Sequence, residues 1–465
     1  MNRLVLVSLF VLGCVAELPA PTTPLVATPA EARVEPPAAP GRLAPQLPEG
    51  RAYRIEGGAS LWVVKAPSVE TARVLLVSRR GEDGAHVRGL TELVASHLAK
   101  EASERVDGWW GGSANSHGTY VRVDVPHRKL QDALSAVRSV VTREPVDADE
   151  LLKHRDDWIA DWIEPASLQR VMLAGLGQLL EQDITVENAH HQRIRELRGY
   201  TPEAAEAVRA ERFSPSDCVV IVVAPEEPAA VWAKFQNTFG DWTQEVPRRR
   251  GHPVSDRPLA RAAVSEHAEG ADFLQVMMVR RAPAVDAPDR AAFEVITQLA
   301  VGAFSSRLNA SLRHQERLTY GAHGWVTDTS YGDVLYLTSE FAPDEARRGM
   351  RRFFEEMARL RSEPVEADEL DAAVRRVWSH LRHTMQGTGV AWFLANAWST
   401  GRAPADLLQG YLALENLTPA QLVDVARRTL PPEKGLVLVR GDLDDVGGMW
   451  IVRTPEGFQL RSSAD

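Results

Sequence analysis

Two cysteines, Cys14 and Cys218, are all that 465 residues contain, so neither a disulfide framework nor a cysteine-built metal site organises this chain. Excess positive charge is missing as well. Lys and Arg number 53 against 63 Asp and Glu, a net charge of -10, and no arginine cluster is long, which excludes a nucleic-acid partner held through phosphates. The short run Arg248-Arg249-Arg250 beside Pro247 reads as a solvated linker. The apolar run Leu4–Leu12 is too short to span a bilayer as a helix. No His-Glu-x-x-His, nucleophile elbow or phosphate loop occurs anywhere.

What is present is ordinary globular composition, 44% hydrophobic and 25% charged, over a length that predicts two domains of roughly 200 residues each. Arg3 followed by Leu4–Leu12 reads as an export signal. It ends in Val11-Leu12-Gly13-Cys14, which resembles the lipobox of bacterial lipoproteins and marks Cys14 as the expected lipidation point, residues 1–14 being the signal segment. Residues 15–50, rich in Pro and Ala and nearly free of aromatic side chains, cannot bury enough surface to offset their ordering entropy and are expected to be a tether. Cys218 sits in the run Cys218-Val219-Val220-Ile221-Val222-Val223 and reads as a small hydrophobe in a buried strand.

The chain repeats itself once. Glu144-Pro145-Val146-Asp147-Ala148-Asp149-Glu150-Leu151 recurs as Glu363-Pro364-Val365-Glu366-Ala367-Asp368-Glu369-Leu370, each copy between two amphipathic helices (128–141 and 343–360 precede them). Further on, Thr201-Pro202, a helix and the strand 218–223 are matched by Thr418-Pro419, a helix and the strand 435–440. Conserved order and spacing imply a duplicated domain. Alternating runs at 120–125 and 335–338 predict half-buried strands, and 289–312 and 366–385 carry helical spacing. The fold class is therefore α+β: two tandem homologous domains, 51–250 and 251–465, each an antiparallel-rich sheet packed with helices, with the boundary in the Pro/Arg/Ser stretch 245–269.

Several of these segments together resemble the pitrilysin/insulinase family of zinc peptidases, in its short processing-peptidase-like branch, from about Tyr53 to the C-terminus. They are the Gly89-Leu90 helix start, Gly111-Gly112-Ser113-Ala114-Asn115 before a strand, Phe213 ahead of strand 218–223, and above all Phe304-Ser305-Ser306-Arg307-Leu308-Asn309 with Leu312-Arg313 and Leu318-Thr319-Tyr320-Gly321. In active members a His-x-x-Glu-His motif on the first helix binds zinc and supplies the base, with a downstream Glu as third ligand. Laid over this sequence, the pattern falls on Glu92, Ala95 and Ser96, which removes both imidazoles and the base. Asp157, Asp161 and Glu164 are the carboxylates of the downstream helix, but none alone rescues the site. His97 with Glu101, and His380 with His383, have ligand spacing yet no third partner, and read as solvated helix faces. His190-His191 read as structural or surface residues in a polar segment between helices.

The family's Arg/Tyr motif, which contacts the peptide near the scissile bond, is kept at Arg313 and Tyr320. A guanidinium and a phenol are apt donors to a carbonyl oxygen that gains charge. The competing readings are a surface arginine and a core aromatic. The resemblance thus implies the non-catalytic subunit of a two-chain zinc peptidase. It would bind no cofactor itself, pair with a zinc-bearing homologous subunit and take an unfolded peptide as substrate, with a lipid anchor holding it in the cell envelope, at the outer membrane facing the periplasm. The alternatives are a degenerate membrane-anchored scaffold and a self-sufficient metallopeptidase using an unrecognised metal site.

Overall fold

The computed structural model describes residues 42–82, 89–143, 145–163, 167–179, 186–243, 258–329, 332–443 and 449–462. Cys14, the expected signal segment and most of the expected tether lie outside them, as does Glu164. No helix among the described residues is long and apolar enough to cross a membrane. Residues 42–465 form one compact unit.

Its first sheet contains β1 (Gly50–Arg54), β2 (Ser60–Lys65), β3 (Thr71–Ser78), β4 (Trp109–Ala114), β5 (Thr119–Pro126) and β6 (Cys218–Ala224), in the order β1-β2-β6-β3-β5-β4. Its second contains β7 (Ala263–His267), β8 (Leu274–Arg281), β9 (Ala322–Thr329), β10 (Gly332–Phe341) and β11 (Gly435–Gly441), in the order β7-β11-β8-β10-β9. With β1 set aside the two orders are the same. Each sheet is antiparallel except for one parallel pair, β2 with β6 and β7 with β11. A C-terminal ribbon, β12 (Met449–Thr454) and β13 (Gly457–Ser462), completes the strands.

The helices of the first half are α1 (Leu90–Glu104), α2 (Leu130–Arg138), α3 (Ala148–Ile163), α4 (Ser167–Leu179), α5 (Val186–Arg198), α6 (Pro202–Arg212) and α7 (Pro228–Phe239). Those of the second are α8 (Arg290–Val301), α9 (Ala346–Ser362), α10 (Ala367–Thr384), α11 (Val390–Thr400), α12 (Pro404–Leu412) and α13 (Pro419–Thr429). The repeated Thr-Pro pairs are helix starts: Thr201 Oγ1 accepts from Ala204 N, Thr418 forms a reciprocal cap with Gln421, and each Pro takes the first helical position, where no N–H is needed. The repeated Glu-Pro-Val segments lead into α3 and α10.

Each sheet has one face on its own helices and one on a helix of the other half. Leu61, Val63, Val74 and Leu76 pack with Leu93, Val94 and Leu98 of α1 and Leu134 of α2, all essentially buried. On the opposite face Leu75, Val77, Val219 and Ile221 pack against Val390, Ala391, Leu394 and Ala395 of α11. In return, Val171 and Ala174 of α4 cover Met277, Val279, Tyr336 and Leu438 of the second sheet. Each fully buried Val, Leu, Ile or Met among them contributes about 1.5–3 kcal/mol on leaving water.

Polar contacts close the seam between the two hairpin tips. Ser116 N donates to Thr329 O (2.9 Å), and His117 Nε2 stands 3.6 Å from Asp333 Oδ1. Buried Arg290 donates from Nη1 to Asp333 Oδ2 (2.5 Å) and to Pro283 O (2.9 Å), and from Nε to Glu294 Oε1 (2.9 Å), which also accepts from the Tyr411 hydroxyl (2.8 Å).

Three expectations change. The helical spacing over 289–312 is not one helix: α8 ends at Val301, and the chain turns through Gly302–Ser306 before a wide helical turn at Asn309–Gln315. The stretch 245–269, where the boundary between halves is expected, is not irregular throughout, since it includes β7, which pairs with β11. Two residues near the end of the expected tether contact α10: Arg42 Nε donates to Asp371 Oδ1 (2.6 Å), and Leu43 O accepts from Arg382 (3.1 Å).

Candidate functional site

The α1 motif turn is built around two glycines. Gly89 takes φ +76° just before the helix, and a Cβ there would come within 2.5 Å of Arg193 Nη1 and 2.8 Å of Tyr200 Oη. Gly112 lies flush on α1, where a Cβ would fall inside van der Waals contact of Ala95 O and Ser96 N. The bare backbone of β4 therefore fits only against this turn.

Glu92 sits one turn into α1; burial raises its pKa, against the pull of the Arg193 guanidinium. Arg193 of α5 donates to Tyr200 Oη (3.2 Å) and lies over the Trp158 ring at 6.0 Å. Ala95 is fully buried and brings no base. Ser96 Oγ is hydrogen-bonded to Nε2 of His154, a fully buried residue of α3, at 2.9 Å. Rings of Trp110 (5.9 Å), Trp158 (5.8 Å) and His97 (6.2 Å) surround that imidazole.

These groups do not fit the family's zinc. The Ser96 hydroxyl is committed to His154, the carboxylate at 92 already faces a guanidinium, and neither Glu92 nor Ser96 supplies the imidazole that the motif has at its position. Asp157 and Asp161 are exposed on α3. Among the described residues no group of three or more His, Cys, Asp or Glu is arranged so that it could hold a metal ion.

His154 carries no motif in the sequence, yet Leu151, His154, Trp158 and Trp162 share one face of α3 at three- and four-residue spacing, the signal that places it inward. His97, expected on a solvated face, is 2% exposed, because α1 is covered by the sheet on one side and by α2, α3 and α6 on others. His380 and His383 are exposed. His190 is buried and His191 exposed within α5, not between helices.

Two buried groups at this helix titrate in opposite senses. Burial pushes the Glu82 carboxyl up to about 7, with Arg212 pulling the other way. A raised carboxyl contributes stability that is complete below the unfolded value near 4.5 and lost as pH rises through about 7. Burial first, then Lys100, pushes His97 down to about 4, so its contribution is present above 6.5 and lost as pH falls. Relative to wild type, Glu82→Gln is expected to gain melting temperature from about pH 5 to about pH 8, and His97→Gln to gain it as pH falls below 6.5. Thermal melts across this range check both, and difference profiles that stay flat would refute the assignment.

In the second half, Asn309 ties a loop together. Its Nδ2 donates to Ala303 O and Ala322 O (3.1 Å each), and its Oδ1 accepts from Ala322 N (2.8 Å). Leu312 and Leu318 anchor the loop in the core, joined by Leu318 N donating to Leu312 O (2.8 Å). Tyr320, between these anchors and Ala322, is 86% exposed, which rules out the core-aromatic reading. Arg313 is half-buried, its guanidinium 4.8 Å from the ring centre of exposed Phe304, whose carbonyl contacts His314 Nε2 (2.9 Å). One loop thus carries Arg313 and Tyr320, while the α1 positions belong to the first sheet's helix layer.

Residues 200–377 match the family described as the peptidase M16 inactive domain. No curated protein matches the chain. Among solved structures, a protease from Helicobacter pylori superposes with TM-score 0.69 at 15% identity, over 85% of this chain and 100% of that one. The peptidase M16 inactive domain from Pseudomonas fluorescens gives 0.69 at 15%, over 84% and 98%. The periplasmic protease PqqL from Escherichia coli gives 0.66 at 15%, over 87% of this chain and 47% of that one. At such identities these likenesses establish the fold. Residues 200–377 thus match the peptidase M16 inactive domain, most of the chain shares the fold of these solved peptidase structures, and the helix on which the resemblance places a zinc motif carries Glu92, Ala95 and Ser96 instead.

Proposed function

We propose that this chain is the non-catalytic subunit of a two-chain zinc peptidase, contributing Arg313 and Tyr320 as donors to the substrate carbonyl and one half of a peptide chamber. The observation that carries the reading is the pairing of an exposed Tyr320 and a ring-supported Arg313 on one braced loop with an α1 turn whose metal positions are filled by other interactions. A phenol held in solvent at 86% exposure does nothing for the core, and a donor so placed serves something that arrives from outside. PqqL, of which this chain matches 47%, is about twice its length, in keeping with an enzyme assembled from two such units.

The partner would be a zinc-bearing homologous subunit, and metal chemistry would reside there. This chain's residues would bind and orient the carbonyl. An unfolded peptide would add as a strand along β4, an outermost strand of the first sheet that carries 68%-exposed Trp109. Acylation of Cys14 would hold the assembly at the outer membrane facing the periplasm, the compartment named for PqqL.

Co-expression with a zinc-bearing relative and measurement of peptide cleavage tests this. Arg313→Ala combined with Tyr320→Phe is expected to lower kcat/KM on the order of 10²-fold, the usual cost of losing a donor to developing charge. Unchanged kcat/KM in an intact complex would refute the assignment. It would favour a second reading, a membrane-anchored scaffold without part in proteolysis, which the plugging of the α1 turn by His154 also fits.

A further inference from the structure

A cavity of about 390 Å³ opens on the face of the first sheet opposite α1, bounded by β1, β2 and the end of α11. The strand register makes it. Ala52 pairs with Trp62 and Arg54 with Ser60, so these four side chains share a face, and the small methyl of Ala52 leaves the space beside the Trp62 indole unfilled. Trp398 from α11 meets Trp62 edge-on, with centroids 5.7 Å apart and planes at 86°, so the two indoles form a corner.

That corner is held in place. Trp398 Nε1 donates to Asp217 O (3.1 Å), and Arg79 lays its guanidinium on the Trp398 ring at 3.7 Å while its Nε donates to Trp398 O (2.8 Å). Arg54 is exposed at the rim, and the hydroxyl-bearing Ser60 lines the wall. Two flat apolar walls select a flat apolar group. The exposed Arg54 guanidinium beside a hydroxyl selects an anion, and a guanidinium fork matches a carboxylate best. The volume falls in the range of small-ligand sites.

We propose that this corner binds an aromatic carboxylate, its ring against Trp62 and its carboxylate toward Arg54, with Arg79 holding the Trp398 wall in place. Two sources carry that chemistry, a free aromatic acid and the C-terminal aromatic residue of a peptide. The site is separate from Arg313, Tyr320 and the α1 turn, and it does not depend on the role proposed for them.

Isothermal titration of the full chain with four probes tests it: N-acetylphenylalanine, its amide, indole-3-acetate and Gly-Gly-Phe. At least one of the three acids is expected to bind saturably, with N-acetylphenylalanine at least tenfold tighter than the amide. Tighter binding of Gly-Gly-Phe assigns the site to chain ends, and tighter binding of indole-3-acetate to a small acid. Ala52→Phe, at an exposed position, is expected to abolish binding, and Arg54→Ala to weaken it at least fivefold, with circular dichroism unchanged in both. Equal affinity for acid and amide, undiminished binding by Ala52→Phe, or no saturable binding of any probe would overturn the proposal.

Discussion

Arg290→Ala is expected to cost about 3–5 kcal/mol of stability. The reason is what it would leave behind. Asp333, with a fully buried side chain, and Glu294 both take hydrogen bonds from Arg290, and no water can reach Asp333 to replace them. Burial works against the Arg290 charge, but Glu294 and Asp333 outweigh it and hold its pKa well above the usual arginine value. Arg290→Lys should recover only part of the loss, because one ammonium cannot reach Asp333, Glu294 and Pro283 with the same fork. Adding Asp333→Asn to Arg290→Ala should be milder than the single change, since it removes the stranded carboxylate. Urea titrations of the four proteins decide this; a loss below about 1 kcal/mol for Arg290→Ala would show that the network is dispensable.

Gly112→Val should be strongly damaging. An added Cβ meets backbone atoms of Ala95 and Ser96 rather than a side chain that can swing away, so either β4 leaves its place or α1 does. We expect a loss of about 3 kcal/mol or more, read as poor soluble yield and a depressed melting temperature. Gly111→Ala is the control, since its Cβ would meet only the Arg122 side chain, which can move. Equal effects of the two substitutions would contradict the packing argument.

Local chemistry made much of this fold readable in advance. The Thr-Pro helix starts, the alternating strand at 119–126, the apolar run at 218–224 and the duplicated Glu-Pro-Val segments depend on neighbours a few residues away, and they appear where the sequence places them. Duplication was legible because it needs only self-comparison. The seams were not. At Asp289–Leu312 the one local hint is Gly302, directly after Val301, while the loop that holds the chain away from a continued helix is tied by Asn309 to Ala322, far along the sequence.

The site divides along the same line. Positions 92, 95, 96, 313 and 320 came from laying the motifs of the resembled family over the sequence. His154, Arg193 and Trp110, which decide how the α1 turn is filled, reach it from α3, α5 and β4 across long stretches of sequence. His97 illustrates the limit of pattern reading. Its four-residue spacing to Glu101 suggested a wet surface, whereas its burial comes from elements far away in the chain that cover α1.

The crossing of α4 and α11 onto each other's sheets bears on how such a chain evolves after duplication. Two copies that only sat side by side could drift apart or be lost singly. Here each copy lends the other a wall, so a substitution on the outer face of β6 must be tolerated by residues near 391 and one on β8 by residues near 174. Ancestry gave the halves one blueprint, but their interlocking binds them to a shared fate, which leaves the loops around Tyr320 freer to change than the walls behind them.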